Sequence, residues 1–191
     1  MNRLRAALFA RTMHQSPATV RGAEYVRLGV ECEIAVRLGT DLPAPRGPYS
    51  REEVGRAVAA VMPAFELVDD RQADYAQLAA HVFSVIADNV WNAGIVLGVP
   101  VTDWRDLDLA AAHGTMRIND TVVGEGHGRD VMGHPLEALT WLVNMLAKRG
   151  KSLPQGTIIT TGSVITTKFV RPGDRVHLSV DGLGEVSLRV E

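Results

Sequence analysis

Apolar residues recur at every second position in Leu28-Gly29-Val30-Glu31-Cys32-Glu33-Ile34-Ala35-Val36. Successive side chains of a strand point to opposite faces. Leu28, Val30, Cys32, Ile34 and Val36 therefore share one face, and Glu31 and Glu33 project together from the other. Two like charges about 4 Å apart repel by roughly 4 kcal/mol at an effective dielectric of about 20. Water or a cation must relieve that cost. Two readings stand at this point: a half-buried strand with a wet acidic face, or a strand offering two oxygen ligands to a hard divalent metal.

The same patterning predicts the other elements. Gly39-Thr40-Asp41-Leu42-Pro43-Ala44-Pro45-Arg46-Gly47-Pro48 is a proline-punctuated connection. It leads to Ser50-Arg51-Glu52-Glu53, the signature of a capping box. The helix that follows places Val54, Ala57, Val58 and Val61 at core spacing and is expected to stop near Pro63. Phe65-Glu66-Leu67-Val68 reads as a short buried strand, residues 75–92 as helical stretches carrying Leu78, Val82, Val85 and Ile86, and Gly94-Ile95-Val96-Leu97-Gly98 as a strand. Residues 116–124 read as a hairpin turning at Asn119-Asp120. His134-Pro135 opens a helix with proline at its first position, a buried stripe of Leu136, Leu139, Val143 and Leu146, and Gly150 as its C-terminal cap. Strands follow at 157–160, 175–180 and 185–190, with turns at Pro172-Gly173-Asp174 and Asp181-Gly182. Few helices and many strands, in irregular alternation, make the class α+β with a strand-built core.

With 191 residues, one domain spanning 1–191 with a sizeable core is expected. A net charge of −2 gives no electrostatic reason to expect nucleic acid or an anionic membrane as partner, and no apolar run reaches the length of a membrane span. The opening residues Met1 to Arg11 carry basic side chains at both ends and no small-residue cleavage site, so no signal peptide is read. The single cysteine, Cys32, has no internal partner and sits on the core face, which makes a reducing cytoplasm the expected compartment.

Glu66 is the third carboxylate of interest, since a glutamate inside a short apolar run is seldom buried without a partner. An edge-strand surface position and an ion pair with nearby Arg71 are the plainer alternatives. Carboxylates without sulfur or histidine at ligand spacing favour Mg²⁺ or Mn²⁺ over zinc. Gly124-Glu125-Gly126-His127-Gly128 lacks the lysine and the strand–helix context of a phosphate loop, and His127 and His134 read as loop and capping residues. Ser163 has no Gly-x-Ser-x-Gly around it and is no nucleophile elbow; a turn serine is its plain reading.

Gly29-Val30-Glu31-Cys32-Glu33-Ile34-Ala35, Pro63-Ala64-Phe65-Glu66-Leu67-Val68-Asp69-Asp70-Arg71 and Ile86-Ala87-Asp88-Asn89 with Asn92-Ala93-Gly94 occur in that order. Gly133-His134-Pro135-Leu136, Trp141-Leu142, Thr161-Gly162-Ser163, Pro172-Gly173-Asp174 and Gly182-Leu183-Gly184 follow. This ordered set resembles the 2-keto-4-pentenoate hydratase group of the fumarylacetoacetate hydrolase superfamily, from about residue 20 to the C-terminus. The resemblance implies a mixed β-rich core of sandwich or roll type with a few peripheral helices. It implies that Glu31, Glu33 and Glu66 bind Mg²⁺ or Mn²⁺, that Ser163 and Asn89 contact the substrate, and that Asp88 or Ser163 serves catalysis. The alternative for Asp88 and Asn89 is that they cap the preceding helix.

The implied reaction adds water to a 2-hydroxy-2,4-dienoate (2-keto-4-pentenoate type), as in aromatic catabolism. A 2-oxo acid decarboxylase and an acylpyruvate-type C–C hydrolase share the same metal site. The implied partners are the small 2-keto acid, further copies of the chain as a homo-oligomer, and a related decarboxylase. Two departures from the group stand out. Its N-terminal Gly-x-Lys segment has no counterpart, since Lys148, Lys151 and Lys168 lie elsewhere; weak turnover, or a non-catalytic partner subunit, is the expectation that follows. Ser84-Val85 before and Val90-Trp91 after the Ala87-Asp88-Asn89 motif replace the group's usual residues and would narrow the pocket or alter its choice of substrate tail.

Overall fold

Both faces of the strand carrying the two glutamates are covered. The computed structural model describes residues 4–44, 46 and 48–191; residues 1–3 and, in the proline-punctuated connection, Pro45 and Gly47 lie outside the described residues. Two short strands, β1 (Met13–Gln15) and β2 (Ala18–Val20), precede the long β3 (Leu28–Leu38). Helix α1 (Arg51–Ala57), β4 (Val58–Asp69), α2 (Val82–Ala87), β5 (Asn92–Leu97), β6 (His113–Ile118) and β7 (Thr121–His127) follow. Helix α3 (Pro135–Ala147) and strands β8 (Ile158–Phe169), β9 (Arg175–Val180) and β10 (Gly184–Val190) complete the order.

The strands form two five-stranded sheets, ordered β1-β5-β4-β3-β8 and β2-β10-β9-β6-β7. Val30, Cys32, Ile34, Phe65 and Leu67 from the first sheet and Met116, Leu178 and Val186 from the second belong to one buried apolar cluster. The opposite face of the first sheet holds a smaller cluster of Ala35, Ala60, Met62, Ala64, Ile95 and Leu97, packed under Leu8, Met13 and Ile158. The alternation read for β3 is correct, but the second face is not wet: Glu33 is 2% exposed.

The capping box forms, with the Glu53 N–H donating to Ser50 Oγ and the Ser50 N–H to Glu53 Oε2. The helix is shorter than its spacing predicts. It ends at Ala57, and Val58 and Val61 belong to β4, paired with Leu38 and Val36 of β3. β-Branched residues suit a pleated surface, and the β3 template overrides the helical spacing. Pro63 continues β4 because its carbonyl accepts from the Gly98 N–H just past the end of β5. Its nitrogen faces the same side, away from β3, so the β3–β4 ladder is kept intact.

Asn119 and Asp120 take φ of 49° and 68° in the two-residue β6–β7 turn, as a twisted hairpin demands. His134 caps α3 by accepting from the Leu136 N–H at its Nδ1, 3.1 Å away, and Leu136, Leu139, Val143 and Leu146 are buried along one stripe. Residues 75–92 break into short helical pieces rather than one helix. Phe83 and Ile86 of α2 face outward, so little apolar burial sustains it.

The end of β4 is tied to the start of β3 by two aspartates. Asp69 accepts from the Val26 and Arg27 N–H groups, and Asp70 accepts from Arg27 Nε and Tyr75 Oη. Burial pushes both carboxyls up, but for Asp69 the backbone N–H groups and for Asp70 Arg27 and Tyr75 outweigh it and hold each below its ordinary value. Arg71 pairs with Asp88, not Glu66. Among the described residues no helix is long and apolar enough to cross a membrane.

Val30 is fully buried between the sheets. Val30→Asp would bury an unpaired charge, and a loss of several kcal/mol, comparable with the whole stability of a domain, is expected. Thermal or urea unfolding measures it; a soluble variant with an undiminished melting temperature would show that this face does not carry the core.

Candidate metal centre

β3 and β4 bring three carboxylates together because their pairing leaves no alternative. Glu31 lies directly opposite Glu66 in the antiparallel ladder, and Glu33 is two residues further along the same face. One oxygen from each of Glu31, Glu33 and Glu66 lies within 4.8 Å of the others. Each carboxylate is steered by one donor. Thr167 Oγ1 of β8 donates to Glu31 Oε1. The Gly162 N–H donates to Glu33 Oε2 at 2.5 Å, and Asn92 Nδ2, at the start of β5, to Glu66 Oε1 at 2.7 Å.

The Gly162 contact depends on an irregularity in β8. Its register against β3 slips on both sides of Glu33, and Gly162 takes φ of 115°, a conformation that favours glycine. A bulge of this kind re-aims the backbone, here turning an N–H onto a carboxylate.

The electrostatics call for a cation. Burial pushes the Glu33 carboxyl well above its ordinary value, the Glu66 charge and a hydrogen bond with Glu66 push the same way, and the Gly162 N–H only partly opposes them. Burial also raises Glu31, against the Thr167 hydrogen bond and reinforced by the Glu66 charge. Asn92 Oδ1 is buried and without a hydrogen-bond partner among the described residues, a further oxygen on the side chain that holds Glu66. Cys32 is no competing soft ligand: its side chain lies in the core cluster on the opposite face, and burial pushes its thiol up. An all-oxygen, anionic, enclosed donor set fits a hard divalent cation rather than zinc.

Beside the triad lies a cavity of about 370 Å³, walled by Glu33, Glu66 and Gly162, by Val90, by α3 and by residues 4–6 and 8 of the N-terminal segment. Asn89 does not point its amide at this space. It clamps the N-terminal segment, accepting from the Ala7 N–H at 2.7 Å and donating to the Ala7 carbonyl at 2.9 Å. Asn89, Val90 and Trp91 all have positive φ, at 51°, 54° and 63°. Each such residue costs on the order of 1–3 kcal/mol, held here by the Asn89 clamp and the Tyr75–Trp91 ring contact. The turn presents Val90 to the cavity.

Asp88 is paired with Arg71 and faces a separate surface hollow beside Ala73 and Trp91. Ser163 sits inside β8 rather than in a turn, and its hydroxyl donates to the Ile165 carbonyl at 2.5 Å. The structure thus brings together the three glutamates and leaves Asp88, Asn89 and Ser163 with other partners. His127 precedes the short helical turn Gly128–Asp130, and His134 caps α3. The glycine-rich stretch is a packing device: a Cβ at Gly126 would lie 2.0 Å from the Val164 carbonyl oxygen. Thr167, Gly162 and Asn92 were not assigned roles from sequence. Only Asn92 and Gly162 fall in motifs that draw attention; Thr167 reaches Glu31 through sheet pairing alone.

The chain matches the family described as fumarylacetoacetate (FAA) hydrolase C-terminal over residues 8–191. It is 34% identical over 88% of its length to 2-keto-4-pentenoate hydratase 1 of Dechloromonas aromatica (strain RCB), and covers 62% of that protein. It is 36% identical over 84% of its length to a 4-oxalocrotonate decarboxylase of Pseudomonas putida, and covers 59% of it. The chain thus spans about 60% of the length of these curated relatives. A solved 4-oxalocrotonate decarboxylase from Pseudomonas putida G7, complexed with magnesium and adipate, superposes with a TM-score of 0.85 at 30% identity, covering 95% of this chain and 67% of that one. The same enzyme was also solved with calcium and acetate. The carboxylate triad, the paired sheets that build it and the match over nearly the whole sequence show that this chain belongs to the fumarylacetoacetate hydrolase family.

Proposed function

We propose that Glu31, Glu33 and Glu66 hold one Mg²⁺ or Mn²⁺ ion and that the site serves a hydratase acting on 2-hydroxy-2,4-dienoates of the 2-keto-4-pentenoate type. The observation that carries this reading is the convergence of three carboxylate oxygens within 4.8 Å on a covered sheet face. Several relatives bear hydratase names, and a solved relative is complexed with magnesium. When bound, the ion supplies Lewis-acid stabilisation of the enolate of a 2-oxo acid. The chain's own residues set the stage for that chemistry. Thr167, Gly162 and Asn92 fix the carboxylate orientations, so little reorganisation is needed on binding. Val90, α3 and the clamped N-terminal segment wall the reacting end from bulk water. Asp88 and Ser163 enter catalysis in this reading only by leaving the partners they have here, and Asn89 acts on the substrate through the segment it clamps.

As parts of the same reading, the small acid is the substrate, and copies of this chain or a related decarboxylase subunit are its protein partners. The compartment is the cytoplasm, in keeping with the buried free thiol of Cys32.

Calorimetry is expected to show one Mg²⁺ or Mn²⁺ site per chain, abolished in Glu33→Gln. Thr167→Val is expected to weaken it about 10–100-fold, the usual cost of losing an outer partner of a metal ligand. Unchanged affinity in both Glu31→Gln and Glu33→Gln would remove the assignment. Loss of 2-hydroxypenta-2,4-dienoate absorbance, dependent on added Mg²⁺, tests the reaction itself.

Stability should respond to pH in a characteristic way. Glu31 and Glu33 are raised in the folded protein above the ordinary 4.5. Between that value and their folded values the native state holds more protons than the unfolded chain, so stability falls as pH rises. Asp69 and Asp70 act oppositely and only at lower pH, being held below 3.8. Melting curves of metal-free protein should therefore drop as pH climbs above 4.5, and saturating Mg²⁺ should flatten the drop; an identical profile with and without Mg²⁺ would contradict the site.

A further inference from the structure

We propose that the substrate held at this centre ends in an extended hydrocarbon tail, not in a second carboxylate. The inference rests on the metal-centred reading above and narrows it to a substrate class. It starts from α3, which is apolar on two faces. Leu136, Leu139 and Val143 face the main core. Ala138, Trp141, Leu142 and Leu146 form a neighbouring stripe that lines the cavity holding Glu33 and Glu66. Positions spaced by three, four and eight residues share one side of a helix. Ala138, Trp141 and Leu142 are partly buried; Ala138 and Leu142 also pack against the main core, and the surface all three leave free lines the cavity.

The rest of that wall offers little to a charge. Leu153 and Ile158 extend the apolar surface. Of the three threonines on the wall, Thr157 Oγ1 is committed to the Pro154 carbonyl and Thr161 Oγ1 to the Ile34 carbonyl, which leaves the neutral Thr160 hydroxyl as the polar group of that stretch. Among the described residues, Arg5 is the one cationic side chain on the cavity wall, and it is exposed to solvent. A carboxylate driven against the α3 stripe would lose its hydration without gaining a partner. A hydrocarbon would bury apolar surface there.

Size points the same way. A five-carbon hydroxydienoate has eight non-hydrogen atoms, which at no more than water's share of roughly 30 Å³ each fill about 240 Å³. The cavity of about 370 Å³ accommodates that head and extends beyond it along the α3 stripe.

The test uses the full chain with saturating Mg²⁺ and three kinds of probe: oxalate, straight-chain 2-oxo monoacids from four to eight carbons, and 2-oxoadipate. Calorimetry reads each affinity. Oxalate should bind only with Mg²⁺, and monoacid affinity should climb about fourfold per added methylene, the worth of a buried CH₂. 2-Oxoadipate should bind at least tenfold more weakly than 2-oxohexanoate. Leu142→Arg, at a partly buried position, should reverse that order. Failure of oxalate to bind would overturn the metal-centred reading and the tail with it. Oxalate binding with a flat chain-length series would overturn the tail alone. A 2-oxoadipate that binds more tightly than its monoacid would do so too, and would show that Arg5 receives the far end.

Discussion

The structure depends on the repulsion among three glutamates gathered on one largely covered sheet face, with Glu33 buried and Glu31 and Glu66 half-buried. Glu33 at 2% exposure has neither a basic side chain nor bulk water to offset its charge, only the Gly162 N–H. One hydrogen bond is worth far less than the desolvation of a carboxylate. Without a cation, burial and the neighbouring charges push Glu31 and Glu33 toward the protonated form. With one, the same convergence becomes a preformed chelate. The surrounding sheet is built to tolerate neither a looser nor a wetter arrangement: small residues, Ala35, Ala60 and Ala64, flank the glutamates on this face, and the N-terminal segment closes over them.

That constraint explains which neighbours matter. Thr167, Gly162 and Asn92 come from elements far apart in sequence, yet each contributes one donor to one carboxylate. β8 has to lose register beside Glu33 for the Gly162 N–H to turn toward it. A regular strand would direct that N–H into the ladder with β3. The bulge is therefore a positioning device, and its cost is borne by a glycine free to adopt φ of 115°.

Much of this was legible in the sequence because the signals were local. Alternation fixed the facing of β3, Ser50 and Glu53 announced a helix start, and Asn119-Asp120 marked a hairpin. Glu66 stood out as a charge in an apolar run. What sequence could not resolve was set by tertiary pairing. Val58 and Val61 fit a helical stripe equally well, and only β3 decided them into a strand. The wet acidic face failed as a reading because nothing local records that Leu8, Met13 and Ile158 cover it. Ser163 drew notice by residue type, while its neighbour Gly162 makes the contact through the backbone, which no side-chain inventory reveals.

In the proposed reading, the carboxylate triad and the α3 wall divide the work of recognition between two kinds of force. On that reading, charge and Lewis acidity act on the head of a 2-oxo acid and are indifferent to what lies beyond it, which is compatible with relatives named both hydratase and decarboxylase. Discrimination must then come from the far wall, where each added methylene or misplaced charge changes binding and the metal contributes nothing. In this chain that wall is Trp141, Leu142 and Leu146 on a helix whose opposite stripe is anchored in the core. In that reading the fold separates the residues that hold the metal from those that meet the substrate's tail.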